Sequence, residues 1–158
     1  MKRIRPFKFP ACLLILLYGL FGCRISPKNP PTQGEDSGRI LFGDYCAACH
    51  QTDGSGTVEG PPPLVDSDWV KGPESRIIRV VLHGVRGLIR VGEGSYNLEM
   101  PGFGAVLSDE AIASLLSYVR AQFGKSSPGI ESQDVKRIRA ATVDRTGYWT
   151  VDELLKIP

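Results

Sequence analysis

The pentapeptide Cys46-Ala47-Ala48-Cys49-His50 constrains this chain more than any other feature. It brings two thiols and one imidazole together within about one and a half turns of a helix. That spacing is typical of covalent haem attachment, in which each cysteine forms a thioether and the histidine ligates the iron from below. The sequence therefore predicts one covalently attached haem c in this chain, held by the two cysteines and ligated by the histidine.

Three other interpretations of the motif use the same residues. Two nearby cysteines can form a disulfide or a redox dithiol, and they can also supply half of a zinc site. The zinc interpretation lacks a second ligand pair, because no cysteine follows Cys49 and the only other histidine is His83. A thioredoxin-like dithiol would follow a strand, whereas the residues before Cys46 have a helical pattern.

Residues 1–22 are predicted to be a lipoprotein signal peptide. Four basic residues precede an apolar run over 11–21 that is short for a membrane span. The segment Leu20-Phe21-Gly22-Cys23 resembles the lipobox of bacterial lipoproteins, in which cleavage frees a cysteine that is then acylated. That resemblance implies a lipid anchor at Cys23, followed by a flexible, proline-rich tether over 23–35. An ordinary signal peptide with an incidental cysteine and an uncleaved anchor are the alternatives.

Removal of the signal peptide would change the charge balance of the chain. The full sequence has 19 basic and 17 acidic residues, and the signal peptide holds four of the basic ones. The mature chain would thus carry 15 basic against 17 acidic residues, without the concentrated basic face that nucleic-acid binding needs. Its length allows one small domain, predicted at 36–125, with a C-terminal extension over 126–158.

Apolar periodicity predicts the helices of this domain. The first covers 37–49 and carries the motif at its carboxyl end, and another covers 74–83. The strongest follows Ser108, a good N-cap, and stops at Gly124. In the extension we expect a short helix over 132–142. A capping box at Thr150-Val151-Asp152-Glu153 should follow, with Tyr148 and Trp149 packing the extension onto the domain.

With these motifs, residues 37–125 resemble the small single-haem, class I cytochromes c. Gly38 and Phe42 lie eight and four positions before Cys46, where this family has a glycine and an aromatic residue. Leu115 and Tyr118 match the leucine and tyrosine of the family's last helix. The resemblance implies an all-α cytochrome c fold, with three to four main helices around the haem, a close crossing of its terminal helices, and a helical C-terminal extension.

The iron needs a sixth ligand, for which a soft, neutral donor about fifty residues after the motif is expected. Met100 fits this expectation, because it is the only methionine after Met1 and Pro101 stiffens the chain directly after it. His83 is the rival candidate. The segment Gly60–Leu64 resembles the family segment whose proline carbonyl accepts the Nδ1 proton of the proximal histidine, and Pro61 and Pro62 are the candidates here.

Three further residues are candidates for contacts with the haem propionates, because each can donate a hydrogen bond. They are Trp69, Arg90 and Tyr96.

The sequence thus predicts an electron carrier rather than an enzyme, because filled axial positions leave no site for substrate chemistry. It would be lipid-anchored on the periplasmic side of a bacterial membrane. Its redox partners would be a dehydrogenase, a quinol-oxidising complex or a terminal oxidase, with which it could also form a complex as a subunit. The alternative is a haem-based ligand sensor or haem enzyme with an open or labile sixth coordination site.

Overall fold

The structure of the protein is a computed structural model that describes residues 33–125 and 128–158. The predicted signal peptide, the Cys23 anchor and the tether up to residue 32 lie outside the described residues. The described residues form helices and short strands in this order: α1 (Gln33–Tyr45), α2 (Ala47–His50), α3 (Asp68–Lys71), α4 (Glu74–His83), β1 (Gly84–Arg86), β2 (Ile89–Val91), β3 (Gly94–Tyr96), β4 (Met100–Pro101), α5 (Asp109–Phe123), α6 (Ser132–Ala141), β5 (Trp149–Thr150) and α7 (Val151–Leu155).

The close crossing of α1 and α5 organises the domain. A Cβ atom on Gly38 would lie 2.3 Å from the Ser114 carbonyl oxygen and 2.7 Å from Cβ of Tyr118. Next to this contact, the rings of Phe42 and Tyr118 pack with their centroids 5.7 Å apart. Glycine lets the two backbones approach, and the aromatic rings fill the space beside it. The predicted crossing is therefore confirmed.

The helices agree with the sequence patterns in most of their bounds. Helix α4 covers the predicted residues, and its buried face carries Ile77, Ile78 and Val81. Ser108 caps α5 by accepting a hydrogen bond from the Ala111 N–H at 3.2 Å. Helix α1 begins at Gln33, earlier than predicted, because its first turn is polar and lacks the apolar signal. No helix in the described part of the chain is long and apolar enough to cross a membrane.

The predicted all-α class is confirmed for the main elements, but short strands occur between the helices. Strand β1 lies in the centre of a three-stranded sheet, antiparallel to β4 and parallel to β5. Strands β2 and β3 form a separate antiparallel hairpin. Each strand has only two or three residues, which is too short for an alternating pattern to be recognised.

The C-terminal extension packs onto the helices of the domain. Helix α6 contacts α4 and α5 and buries Val135 and Ile138. Strand β5 pairs with β1, and α7 buries Leu154 in a second apolar cluster with Val80 and Val85. The predicted capping box at the start of α7 is confirmed, because the Thr150 side chain and the side chain of Glu153 bond each other's backbone N–H.

Candidate functional site

The cysteine–histidine motif lies where α1 passes into α2. The Cys46 N–H donates to the Phe42 carbonyl at 2.9 Å, which continues the turns of α1. The Cys46 carbonyl in turn accepts from the N–H of Cys49 at 3.1 Å and of His50 at 2.9 Å. Cys46 is half-buried and Cys49 is exposed, and the two form no disulfide. One compact turn thus presents two thiols and an imidazole.

The acidity of Cys46 bears on the dithiol interpretation. Burial, with a smaller contribution from the neighbouring Cys49, raises the pKa of the Cys46 thiol to about 11. The thiol is therefore protonated at neutral pH. A redox dithiol needs a nucleophilic thiolate, which proteins produce by lowering a cysteine pKa. Cys46 is accordingly a poor redox nucleophile.

The His50 ring is held by one backbone oxygen. Its side chain is buried, and Nδ1 lies 3.0 Å from the Pro62 carbonyl oxygen. Because a carbonyl can only accept, Nδ1 carries the proton and the lone pair of a neutral ring lies on Nε2. Burial lowers the His50 pKa, and the bond to Pro62 opposes that shift. The neutral ring thus keeps Nε2 available to ligate a metal.

The loop after His50 sets which proline carbonyl makes this contact. Gly56 has φ +63°, and a Cβ there would lie 2.4 Å from the Pro61 carbonyl oxygen. The Pro61 carbonyl accepts from the Thr57 N–H at 3.0 Å, so it is directed into the loop. Pro62, rather than Pro61, therefore faces the imidazole.

A large apolar cleft opens beside the motif. Its empty volume is about 1100 Å³, including the part open to solvent. Cys46, Cys49 and His50 line it together with Met100, and most of the remaining wall is apolar. A cleft of this size and polarity suits a large, flat, mostly apolar ligand. The thiols, the imidazole and the thioether are the groups by which a covalently bound haem c is attached and ligated, so the residues present fit that group.

Met100 reaches the cleft from strand β4. Its backbone pairs with Val85 of β1. Its half-buried side chain packs against the main core, which includes Leu115 and Leu116, and against the cluster around Leu154. The structure therefore places the predicted sixth ligand on the cleft that His50 lines.

His83, the rival ligand, does not line this cleft. Its Nε2 lies 2.8 Å from Oγ1 of Thr142, a hydroxyl that donates to the Ile138 carbonyl at 2.8 Å. Since a hydroxyl has one proton to donate, Nε2 of His83 is the donor of the first bond. Burial, and then Arg145, Arg139 and Arg79, lower the His83 pKa. The ring thus donates to Thr142, the residue that directly follows α6.

The three candidates for propionate contacts differ in their position relative to the cleft. Trp69 and Tyr96 line the cleft, whereas Arg90 does not. Arg90 is exposed on β2 between Ile89 and Val91, which both line the cleft, and successive strand residues face opposite sides. The proposed propionate contact of Arg90 therefore stays a prediction, for a residue on the strand face opposite the one that lines the cleft. The same alternation was the signal that could have identified Ile89 and Val91 as lining residues.

The zinc interpretation gains no support from the described residues. Among them, no group of three or more histidine, cysteine, aspartate or glutamate side chains is placed to hold a metal ion.

Comparison with known proteins gives a family match over more than half of the chain. The family model described as cytochrome c oxidase, cbb3-type, subunit III matches residues 33–119. This range contains the motif, the loop with Pro62, Met100 and most of α5. The match therefore covers the elements that form the cleft.

Individual relatives match the same part of the chain. Cytochrome c-552 of Thermus thermophilus is 34% identical over 104 residues, which cover 60% of this chain and 79% of that protein. The fructose dehydrogenase cytochrome subunit of Gluconobacter japonicus is 31% identical over 110 residues, 65% of this chain and 22% of that protein. The cbb3-type cytochrome c oxidase subunit FixP of Azorhizobium caulinodans is 33% identical over 105 residues, 65% of this chain and 34% of that protein. The chain thus spans about a fifth to a third of the length of these last two relatives.

Proposed function

The chain belongs to the cytochrome c family, and we propose that it carries single electrons between redox proteins, with His50 and Met100 as the protein ligands of its iron. Its fold is the cytochrome c fold, and haem c is bound covalently. Cys46 and Cys49 occupy the cysteine positions of the attachment motif. The observation that carries the proposal is that Met100 lines the same cleft as His50, whose Nε2 is available.

Each protein residue has a distinct part in this proposal. The bound haem supplies an iron that alternates between ferrous and ferric states. The Pro62 carbonyl fixes the tautomer and orientation of His50 and increases the basicity of Nε2. The neutral thioether of Met100 favours the ferrous state and so raises the reduction potential. The apolar wall of the cleft would limit the access of water to a bound haem, which would also favour the less charged state of its iron.

The proposed partners are large redox enzymes. Several relatives are named as cytochrome subunits of dehydrogenases that act on fructose or alcohol, and others as subunits of cbb3-type oxidase. On this basis we propose that the chain exchanges electrons with a dehydrogenase, a quinol-oxidising complex or a terminal oxidase, as a separate carrier or as a subunit. One haem per chain is part of the proposal, since the sequence has a single Cys-x-x-Cys-His motif.

The proposed location is the periplasmic side of a bacterial membrane. The lipobox-like segment ending at Cys23 supports a lipid anchor. An anchor of this kind would raise the effective concentration of the carrier at membrane-bound partners. Growth of the expressing cells with a labelled fatty acid tests this. The wild-type chain should carry the label, whereas Cys23→Ala should not, and label retained by Cys23→Ala would refute the anchor.

Binding of carbon monoxide distinguishes an electron carrier from a ligand sensor or haem enzyme. A ferrous iron with both axial positions filled should bind carbon monoxide weakly, and Met100→Ala should bind it readily. The matched control is a wild-type sample in which far-ultraviolet circular dichroism confirms the native fold throughout the titration. If the folded wild type binds carbon monoxide as readily as Met100→Ala does, the sixth position is open and the carrier proposal fails.

A further inference from the structure

The segment that follows Met100 lies against the end of α4. The N–H of Phe103 donates to the Val81 carbonyl at 2.7 Å, and that of Gly104 donates to the Leu82 carbonyl at 3.0 Å. The fit is close, because a Cβ atom on Gly104 would lie 2.6 Å from the Leu82 carbonyl oxygen. Met100 is therefore followed directly by a segment with defined backbone contacts.

Arg139 of α6 reaches this segment from the C-terminal extension. Its guanidinium donates to the carbonyl of Gly104 and, at 2.8 Å, to the carbonyl of Leu107. It also pairs with the Asp109 carboxylate at 2.7 Å, and both of these side chains are partly buried. One rigid, planar group thus joins three points between residues 104 and 109, with the strength of charge-assisted hydrogen bonds.

The extension also supports Met100 from the side of the sheet. Val85 in β1 lies opposite Met100 on one edge and opposite Trp149 of β5 on the other. On Trp149, the Arg145 guanidinium stacks 3.6 Å from the ring centroid and pairs with Glu153 at 2.7 Å. Two parts of the extension therefore contact the neighbours of Met100, because β5 pairs with the strand opposite Met100 and Arg139 bonds the segment that follows it.

From these contacts we propose that Arg139 is a positioning residue for the Met100 sulfur. The inference rests on the proposed role of Met100 as an axial ligand. Arg139 does not line the cleft itself, and it acts by fixing residues 104–109 to α6. Without it, the segment would move more freely, and the form with Met100 away from the iron would become more populated.

Binding of imidazole to the ferric protein measures that population. An external ligand binds only the form in which the sixth position is free, so its apparent affinity scales with the fraction in that form. We expect Arg139→Ala to bind imidazole about tenfold more tightly than the wild type, which corresponds to about 1.4 kcal/mol. The far-red absorption band of methionine-ligated ferric iron should weaken in parallel. Arg139→Lys keeps the charge but loses the planar fork, so its affinity should lie between the two.

The chain offers a matched control on the same helix. Arg137 is exposed and pairs with Asp134 through a contact confined to α6. Arg137→Ala removes the same side chain two residues away and should leave the imidazole affinity and the far-red band unchanged. Far-ultraviolet circular dichroism at the titration temperature establishes that each variant is folded, so a mere loss of stability would not change the measured affinity.

The results of these measurements distinguish a failure of the role of Arg139 from a failure of the proposed ligation by Met100. If the wild type shows the far-red band and binds imidazole weakly, but Arg139→Ala matches it in both, Arg139 is not a positioning residue. If the wild type lacks the band and binds imidazole as tightly as Met100→Ala, the ligand role of Met100 fails instead. Should Arg139→Ala not yield folded protein, Arg139→Lys decides, and an affinity equal to that of the wild type would overturn the inference.

Discussion

Replacement of Gly38 by alanine tests the helix crossing on which the domain is built. The same replacement at Gly43 is the control, since both glycines belong to α1. A Cβ on Gly38 would lie 2.3 Å from a backbone oxygen of α5, whereas a Cβ on Gly43 would have nothing within 4 Å. The two variants therefore differ in packing and hardly at all in chemistry.

The expected magnitudes have opposite signs. Alanine is more favourable than glycine inside a helix by about 1 kcal/mol, so Gly43→Ala should raise the free energy of unfolding by that amount. At Gly38, ordinary contact at 3.4 Å requires a displacement of more than 1 Å, and the opposing atom belongs to a backbone that cannot rotate away. Overpacking of a core costs about 1–3 kcal/mol, and we take the upper end here. After the helix gain is subtracted, Gly38→Ala should lower the free energy of unfolding by about 2 kcal/mol.

Denaturant unfolding of the haem-loaded proteins, followed by circular dichroism, measures both variants. The difference between them should be about 3 kcal/mol at an unchanged dependence on denaturant. Equal stabilisation of the protein by both alanines would refute the close crossing.

Other predictions address the extension and its contacts. The Thr150 N–H, Arg145 and the Thr150 hydroxyl lower the Glu153 pKa from 4.5 to about 2. The contribution of this carboxylate to stability is therefore present above pH 4.5 and lost as the pH falls from 4.5 to about 2. The free energy of unfolding, measured across that pH range, should show the stability advantage of the wild type over Glu153→Gln disappearing as the pH falls. A difference between the two proteins that does not change with pH would contradict this role of Glu153. Ile138→Ala should lower the free energy of unfolding by about 2–5 kcal/mol in the same assay, because Ile138 is fully buried. As a control, Val143→Ala should change it by less than about 0.5 kcal/mol, because Val143 is exposed. Arg120→Ala should lower the free energy of unfolding by about 2–3 kcal/mol, because this buried guanidinium donates to the Pro128 and Gly72 carbonyls. A midpoint of thermal unfolding close to that of the wild type would show that these bonds contribute little.

The sequence predicted those elements whose signal is local. Helix α5 has an N-cap at Ser108, an apolar stripe and a terminal glycine, and all three are found in the structure. The capping box at Thr150 and Glu153 is also local, because its bonds join residues three apart. Gly38 could be interpreted only through the family resemblance, since nothing in its own neighbourhood indicates which helix crosses it.

Features that depend on distant parts of the chain could not be predicted. The three-stranded sheet joins residues 84–86 to 100–101 and 149–150, and strands this short have no pattern of their own. The choice of Pro62 over Pro61 depends on the loop hydrogen bond of Thr57. Arg139 gave no sequence signal, because its partners lie at least thirty residues away.

The ligation by His50 and Met100 can be measured from the ferric and ferrous absorption spectra of the wild type and of Met100→Ala, each produced with the c-type haem maturation machinery. We expect a low-spin, six-coordinate ferric spectrum with the weak far-red band of thioether ligation in the wild type, and loss of that band in Met100→Ala. A high-spin ferric wild type, or a band that persists in Met100→Ala, would contradict the proposed axial pair and with it the assignment as an electron carrier.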